Sequence, residues 1–163
     1  MKNLLLSLLI LFTLNTFTFA QKSAKALYVE IGGPGLASIN YDMRLQPKED
    51  GIGFRIGVGG YSLDEGSGYK ESKLFIPIGL NYILGKDQKH YFELGAGYTY
   101  VSNKSSNNYN YSGDFSSSFG NLTFGYRIAP AKGGFFFKAE ITPVFGKGFF
   151  IPYFGGVGFG YKF

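Results

Sequence analysis

The chain has 163 residues, a formal net charge of +5, no cysteine, 25 glycines and 19% aromatic residues. The absence of cysteine excludes disulfide bonds, thiolate metal sites and acylation as a lipoprotein, and the mild, dispersed basic excess favours no nucleic-acid partner. A mean hydropathy of +0.01 with so many aromatic residues and glycines is unusual for a soluble globule and is typical of a transmembrane β-barrel.

The first twenty residues have the pattern of a signal peptide. Lys2 supplies a positive charge, an apolar run follows over residues 4–14, and Ala20 is a small residue in front of Gln21. The run is shorter than the ~20 apolar residues that a spanning helix needs, which disfavours a membrane anchor. We therefore expect an exported protein with a cleaved Sec-type signal peptide over 1–20 and one mature domain over 21–163.

Turn residues divide the mature chain into eight extended segments in which apolar and polar side chains alternate. The glycines and proline of Gly33-Pro34-Gly35 separate the first two segments, and Gly146-Lys147-Gly148 leads into the eighth. The first seven predicted strands span residues 26–32, 37–46, 52–61, 74–84, 91–101, 118–128 and 135–142. Alternation with a period of two predicts an all-β fold.

Charged residues within these strands all fall on the face opposite the apolar one. They are Glu30, Asp42, Arg44, Arg55, Glu93, Arg127, Lys138, Glu140 and Lys162. A lipid-facing Lys or Arg at the bilayer midplane costs ~2–4 kcal/mol, so this distribution is expected if the apolar face meets lipid. The four acids and five bases nearly cancel, which predicts a charge network inside a barrel.

The predicted connections alternate between short and long. The turns at 47–50, 85–89 and 129–133 are short, whereas the loops at 62–71 and 102–116 are long and polar. Outer-membrane barrels have short periplasmic turns and long external loops. This pattern predicts an even number of strands, both termini in the periplasm, and Gly33–Gly35 and Gly146–Gly148 on the external side.

Aromatic residues gather near the ends of the apolar faces. With this topology Tyr98 and Tyr100 lie toward the outside. The periplasmic group comprises Tyr82, Phe92, Tyr126, Phe135, Tyr161 and Phe163. Rings at both membrane–water interfaces are typical of spanning barrels.

The last strand carries a C-terminal pattern of alternating residues, Val157-x-Phe159-x-Tyr161-x-Phe163. It resembles the closing strand of the small eight-stranded bacterial outer-membrane barrels of the OmpA/OmpX kind. The resemblance implies an eight-stranded antiparallel up-and-down barrel in the cell outer membrane, in contact with outer-membrane lipid and lipopolysaccharide. It also implies that Phe159, Tyr161 and Phe163 form the signal read by the barrel assembly machinery. We expect a monomer.

A soluble barrel of lipocalin type is the main rival, because it has the same alternation with the faces inverted. Periodicity alone does not decide between the two. Ten strand glycines share the charged face: Gly53, Gly57, Gly59, Gly79, Gly95, Gly97, Gly125, Gly156, Gly158 and Gly160. Glycine weakens a strand and has no reason to crowd a solvated face, but it makes room for long side chains in a narrow lumen.

The resemblance covers several activities, and the sequence favours a structural or interaction role through the loops 62–71 and 102–116. The second of these loops either binds a ligand of unknown identity or acts as a hydrophilic cap. A small-solute channel or transporter is disfavoured because eight strands leave space only for side chains. A lipid-active enzyme is disfavoured because the single histidine, His90, falls in a periplasmic turn. We expect no catalytic, metal or cofactor site. Gly156-x-Gly158-x-Gly160 is not interpreted as a nucleotide-binding loop, because no helix follows it to bind phosphate.

Overall fold

The computed structural model describes residues 23–64, 70–105 and 115–163, and these residues are mostly antiparallel β-strand. A 3-10 turn over Gly33–Gly35 joins the first two strands. The ten strands are β1 (Lys25–Gly32), β2 (Ala37–Arg44), β3 (Gly51–Asp64), β4 (Lys70–Leu84), β5 (His90–Ser105), β6 (Phe119–Ile128), β7 (Gly134–Ile141), β8 (Val144–Gly146), β9 (Phe149–Ile151) and β10 (Gly155–Lys162). The predicted signal peptide, residues 1–20, lies outside the described residues.

No helix in the described parts of the chain is long and apolar enough to cross a lipid bilayer.

The strands close into a barrel. Each of β1 to β6 pairs with the next strand along the chain, β7 pairs with β10, and β10 pairs back with β1. The closing ladder runs from Ala26 opposite Lys162 to Gly32 opposite Gly156. The predicted fold class, a closed eight-stranded antiparallel barrel, is confirmed. Within the closed part of the wall each strand has a neighbour on both sides, so the backbone groups there are satisfied within the barrel.

The short strands β8 and β9 extend the hairpin formed by β7 and β10. After Pro143, β8 continues along β6, with Gly120 opposite Phe145, and β9 returns beside β8. Between the pairs Ile141–Gly155 and Val144–Ile151, two residues on one side face three on the other, which is a β-bulge. The turn predicted at 146–148 is therefore present, but the bulge that separates β9 from β10 was not predicted.

The apolar face of every barrel strand points outward. In β1, Leu27, Val29 and Ile31 are exposed while Tyr28 and Glu30 are buried in the interior. The same alternation holds in β2 and β6, whose charged and amide side chains are buried. This orientation is opposite to that of a lipocalin-type barrel, so the soluble rival is wrong.

Three neighbouring strands are much longer than the others. β3, β4 and β5 have 14, 15 and 16 residues, whereas β1, β2, β7 and β10 have 8 each. The predicted bounds of the loops 62–71 and 102–116 are wrong, because β3 continues to Asp64, β4 begins at Lys70 and β5 continues to Ser105. Polar strand residues above a membrane carry no apolar alternation, so the pattern did not reveal them. Residues 65–69 and 106–114 of these loops lie outside the described residues.

We predict that closure depends on the absence of a side chain at Gly160. A Cβ atom there would lie 2.1 Å from the carbonyl oxygen of Leu27 across the closing ladder, whereas a Cβ at Gly155 would lie 3.5 Å from its nearest neighbour. Gly160→Ala should lower the free energy of unfolding by about 1–3 kcal/mol and reduce the fraction that migrates as a compact species on unboiled SDS gels. Gly155→Ala should fold normally. Equal unfolding free energies for the two variants would contradict the role assigned to Gly160 in closing the barrel.

Candidate functional site

The interior of the barrel holds all nine charged side chains that the sequence placed on the polar face. Each is buried, and together they come from seven strands of the wall. The end of the barrel that contains the starts of β1 and β3 and the finish of β10 is called here the terminal end. The opposite end, where Gly33–Gly35 and the β3–β4 connection lie, is called the loop end.

The first half of a continuous chain of ion pairs begins at Glu30. Its carboxylate lies 2.5 Å from the Arg55 guanidinium, whose other terminal nitrogen lies 3.5 Å from Glu140. Lys138 then bridges two acids, with its ammonium 2.6 Å from Glu140 and 3.0 Å from Glu93. These contacts connect β1, β3, β5 and β7 through the lumen.

The second half continues from Glu93 to β2. Arg127 lies 2.7 Å from Glu93 and 3.1 Å from Asp42, and Asp42 also accepts a 2.7 Å hydrogen bond from Arg44. The amide of Asn81 stabilises this junction, because it donates to Asp42 at 2.6 Å and to Glu93 at 3.0 Å, and accepts from Arg44 at 2.5 Å. The complete chain of ion pairs contains four acids and four bases, so the formal charge of this network is zero.

Lys162, the ninth predicted residue, lies apart from this chain at the terminal end. It forms an ion pair with Glu49 and donates to the carbonyl oxygens of Pro130 at 2.8 Å and Ala131 at 3.2 Å. Sequence reasoning missed Glu49 because it lies in a turn, where no strand alternation indicates which way a side chain points. The pair ties the turns at this end to the closing strand.

Two interior glycines show directly how the lumen accommodates long side chains. A Cβ atom at Gly53 would lie 1.9 Å from a terminal nitrogen of Arg44, and one at Gly158 would lie 2.9 Å from the ring of Tyr28. No side chain larger than hydrogen fits at Gly53 without displacing the guanidinium. The glycine-rich polar face is therefore the space that the charged and aromatic side chains fill.

An apolar layer lies at the terminal end of the lumen. Its members are Ala26, Tyr28, Ile83, Tyr91, Ala129 and Phe136. The rings of Tyr28 and Phe136 are 4.8 Å apart, and the Arg127 guanidinium lies 5.0 Å from the centre of the Phe136 ring. Cation–π contacts of this kind help to hold a desolvated cation.

A second apolar layer, largely aromatic, lies at the loop end. Phe75, Val101, Phe119 and Val144 are buried there, and Leu36, Tyr61, Phe115, Phe149, Ile151 and Phe154 pack against them. The ring of Phe115 contacts those of Phe119, Phe149 and Phe154 at 5.1 to 5.6 Å. We call this group the aromatic layer. The sequence prediction missed it, although Phe75 is an aromatic residue on the inward parity of β4.

The Gly33–Gly35 turn folds into the barrel and does not project from it. All three residues are buried, and the Thr99 hydroxyl donates a 3.1 Å hydrogen bond to the Pro34 carbonyl oxygen from across the lumen. A Cβ atom at Gly33 would lie 3.0 Å from the carboxylates of both Glu30 and Glu140, and its φ of +64° favours glycine. The turn lies at the same end of the barrel as the β3–β4 connection, as predicted, but its inward position was not predicted.

The lumen is filled. Two cavities that border the ion-pair chain have volumes of about 10 and 20 Å³, and one lies beside Arg44 and Arg127 while the other lies beside Arg55 and Glu93. Each has room for about one water molecule. The ion-pair chain, the turn and the two apolar layers therefore occupy the cross-section that a conducting pore would need.

His90 lies at the terminal end, where it fixes a turn. Its Nδ1 forms a hydrogen bond with the Tyr126 hydroxyl, and its backbone N–H donates to Asp87 at 2.7 Å. That backbone N–H and the one of Lys89 stabilise the ionised carboxyl and hold the pKa of Asp87 below its usual value. Within the described ranges, no group of three or more acidic or histidine side chains is arranged to hold a metal ion.

The three residues of the predicted assembly signal lie on the outer surface of β10 or just beyond it. Phe159, Tyr161 and Phe163 are exposed toward the terminal end, and the Phe159 ring contacts Phe137 at 5.3 Å. Their position does not test recognition by the assembly machinery, so that role stays a prediction.

Solved structures share this architecture. The chain is similar to the N-terminal β-barrel domain of Pseudomonas aeruginosa OprF, with a TM-score of 0.54 and 12% identity over 86% of this chain and 96% of that one. It is also similar to the Yersinia pestis outer membrane protein Ail, with a TM-score of 0.53 and 9% identity over 87% of this chain and 99% of that one. These similarities establish a common fold.

A weaker similarity connects the chain to the outer membrane enzyme PagL, with a TM-score of 0.42 and 15% identity over 84% of this chain and 96% of that one. No protein-family model matches the sequence, and no curated protein sequence matches it.

We predict that Arg127 is essential to the stability of the filled lumen. Arg127→Met removes the cation that bridges Asp42 and Glu93, and it leaves both buried carboxylates short of a partner. The free energy of unfolding should fall by about 3–5 kcal/mol, measured by denaturant titration of the protein in detergent micelles.

Lys132→Met is the matched control, because Lys132 is an exposed cation in the neighbouring turn. It should change the free energy of unfolding little. Adding Glu93→Gln to Arg127→Met should recover part of the loss, because one of the stranded charges is removed. If Arg127→Met and Lys132→Met were equally stable, the ion-pair chain would not have the structural importance assigned to it.

Proposed function

We propose that the protein is an integral outer-membrane barrel with a closed lumen, with its terminal end in the periplasm and its loop end outside the cell. The fold that it shares with the barrels of OprF and Ail supports this location. The protein is proposed to be a monomer whose outer surface meets membrane lipid, including lipopolysaccharide in the outer leaflet.

The outer surface of the wall supports immersion in lipid. Apolar side chains from every barrel strand are exposed there, and examples spaced around the wall are Leu27, Ile39, Val58, Leu80, Phe92, Phe124, Ile141 and Val157. Soluble monomers rarely expose a contiguous apolar patch larger than a few hundred Å². A band that encircles the barrel is instead the surface that a hydrocarbon core covers.

The filled interior argues against transport as the main activity. The neutral chain of ion pairs lies beneath the buried Gly33–Gly35 turn, and the aromatic layer lies at the same end. A hydrated ion does not fit cavities of about 10 to 20 Å³. We also propose a non-catalytic role, because His90 lies at the end of the barrel opposite the rim that would face external lipid headgroups.

One observation supports an interaction role: β3 has an open edge at the loop end. Residues 60–64 of β3, 70–74 of β4 and 101–105 of β5 form a three-stranded rim sheet. The ladder with β2 ends at the pair Ser38–Gly59, and among the described residues no strand pairs with that side of β3 over 60–64. Exposed edges of this kind accept an extended strand from another protein. We propose that the rim sheet binds a partner by adding a strand at this edge.

The orientation predicts which positions are accessible from outside the cell. The natural chain has no cysteine, so single-cysteine variants report one site each. Ser62→Cys on the rim sheet should react with a membrane-impermeant maleimide in intact cells, because Ser62 is exposed at the loop end. Asp50→Cys, exposed in the turn between β2 and β3, should react only after the outer membrane is permeabilised. Reaction of Asp50→Cys alone in intact cells would reverse the proposed orientation.

Strand addition at the rim predicts position-specific crosslinking. A photoreactive residue at Ser62, close to the open edge of β3, should give a discrete crosslinked product on intact cells. The same residue at Lys147, exposed in the turn between β8 and β9 but away from that edge, should not give this product. Pre-incubation with a synthetic peptide of residues 70–74, which pair with the opposite edge of β3 within the chain, provides a backbone competitor. Equal crosslinking from both sites would contradict recognition through the β3 edge.

A further inference from the structure

The hairpin formed by β8 and β9 is apolar on both of its faces. On the inner face, Val144 is fully buried, and Val144, Phe149 and Ile151 all belong to the aromatic layer. On the outer face, Phe145 and Phe150 form a cross-strand pair and are 45% and 65% exposed. A hairpin surrounded by water normally has one polar face, so the outer aromatic face needs a covering.

The outer aromatic face is continuous with the apolar band of the barrel wall. The ring of Phe145 lies over Gly120 of β6, where a Cβ atom would be 2.3 Å from the ring. Gly120 is opposite Tyr98 on β5, and Tyr98 and the nearby Leu122 are exposed members of the band. Phe145 and Phe150 therefore extend this band across two further strands at the loop end.

The residues around the hairpin match the chemistry of a membrane–water interface. Tyr153, in the bulge that follows β9, is 88% exposed and presents a hydroxyl on an aromatic ring. Lys147 is exposed in the two-residue turn, next to Gly148 with its φ of +85°. The amphipathic ring of tyrosine prefers the headgroup level, and a lysine at that level places its ammonium among lipid phosphates.

The hairpin also makes the apolar band asymmetric. The ladder between β1 and β10 ends at the pair Gly32–Gly156, but β9 continues past this point beside β8. On the opposite side the extra strand length belongs to the polar rim sheet. An apolar extension on one side only is expected to lie in the membrane, whereas the polar extension on the other stands in water.

We propose that the β8–β9 hairpin is a lipid-contacting element that lies in the outer leaflet, with Phe145, Phe150 and Tyr153 against lipid at the headgroup–acyl boundary. The inference rests on the proposed membrane location, and it adds a surface that neither the alternating strands nor the shared fold assigns. A second copy of the chain is the competing occupant. The one-sided continuity of the aromatic face with the lipid-facing band favours lipid.

The experiment uses the absence of tryptophan from the chain, so that each tryptophan variant reports one position. The variants Phe150→Trp, Leu80→Trp and Ser62→Trp are refolded into phosphatidylcholine vesicles whose acyl chains carry bromine at defined depths. Leu80→Trp lies in the middle of the band and Ser62→Trp lies on the rim sheet. Phe150→Trp should lose most of its fluorescence to bromines near the carbonyl end of the acyl chain. Ser62→Trp should be quenched by aqueous iodide and not by brominated lipid.

The variants distinguish an error in the membrane location from an error in the hairpin inference. If Leu80→Trp is not quenched by brominated lipid, the membrane location itself is wrong. If Leu80→Trp is quenched but Phe150→Trp behaves like Ser62→Trp, the hairpin inference alone is overturned. Tyr153→Trp gives a second reading from a side chain that is almost fully exposed, in case Phe150→Trp does not fold. If Phe150→Trp and Tyr153→Trp are protected from aqueous iodide only at a high protein-to-lipid ratio, a second copy of the chain covers the surface. That result would overturn the lipid assignment.

Discussion

Electrostatic neutrality within a closed lumen is the constraint on which the rest of this structure depends. Removing an ionised side chain from water costs several kcal/mol, and only well-placed counter-charges and hydrogen bonds offset that cost. Here the cost is met by one chain of ion pairs that runs from Glu30 to Arg44 with four acids and four bases. Because those residues come from β1, β2, β3, β5, β6 and β7, their pairing fixes the positions of most of the wall strands relative to one another. Gly53 of β3 leaves the space that the Arg44 side chain requires.

The neutral chain of ion pairs also explains why the interior is layered. The charged middle is bounded by an apolar layer at the terminal end and by the aromatic layer at the loop end. Both layers limit access of water, which strengthens the ion pairs between them. The Gly33–Gly35 turn adds a backbone element to the closure, because the hydrogen bond from Thr99 to Pro34 draws it into the lumen. The outer surface and the rim of such a barrel remain available for interaction, whereas its interior side chains stabilise the fold.

The sequence was sufficient for the wall of the barrel because that wall obeys a simple alternation. Leu27 and Glu30 lie on the predicted faces, and the eight-stranded closure follows from the predicted strands. Where the alternation failed, the cause was specific. Polar residues such as Ser62 and Ser72 form a ladder above the lipid-facing band, where no apolar pattern marks a strand. Phe75 faces inward because it belongs to the aromatic layer, a tertiary contact that no local pattern reveals. Glu49, the partner of Lys162, was missed because it lies in a turn, where no strand alternation indicates the direction of a side chain.

The two sides of the loop end differ in a way that follows from strand length and side-chain chemistry together. β3, β4 and β5 continue past the band with polar residues, and β3 has an open backbone edge there. β8 and β9 continue past the end of β1 with aromatic residues on the outer face, and the bulge before β10 sets this hairpin apart from the regular wall. A polar extension gains nothing from lipid, and an aromatic extension loses by exposure to water. We therefore propose that the same barrel separates two tasks around one rim, with contact to a protein partner on the rim sheet and contact to lipid on the hairpin, and that the sealed lumen serves neither.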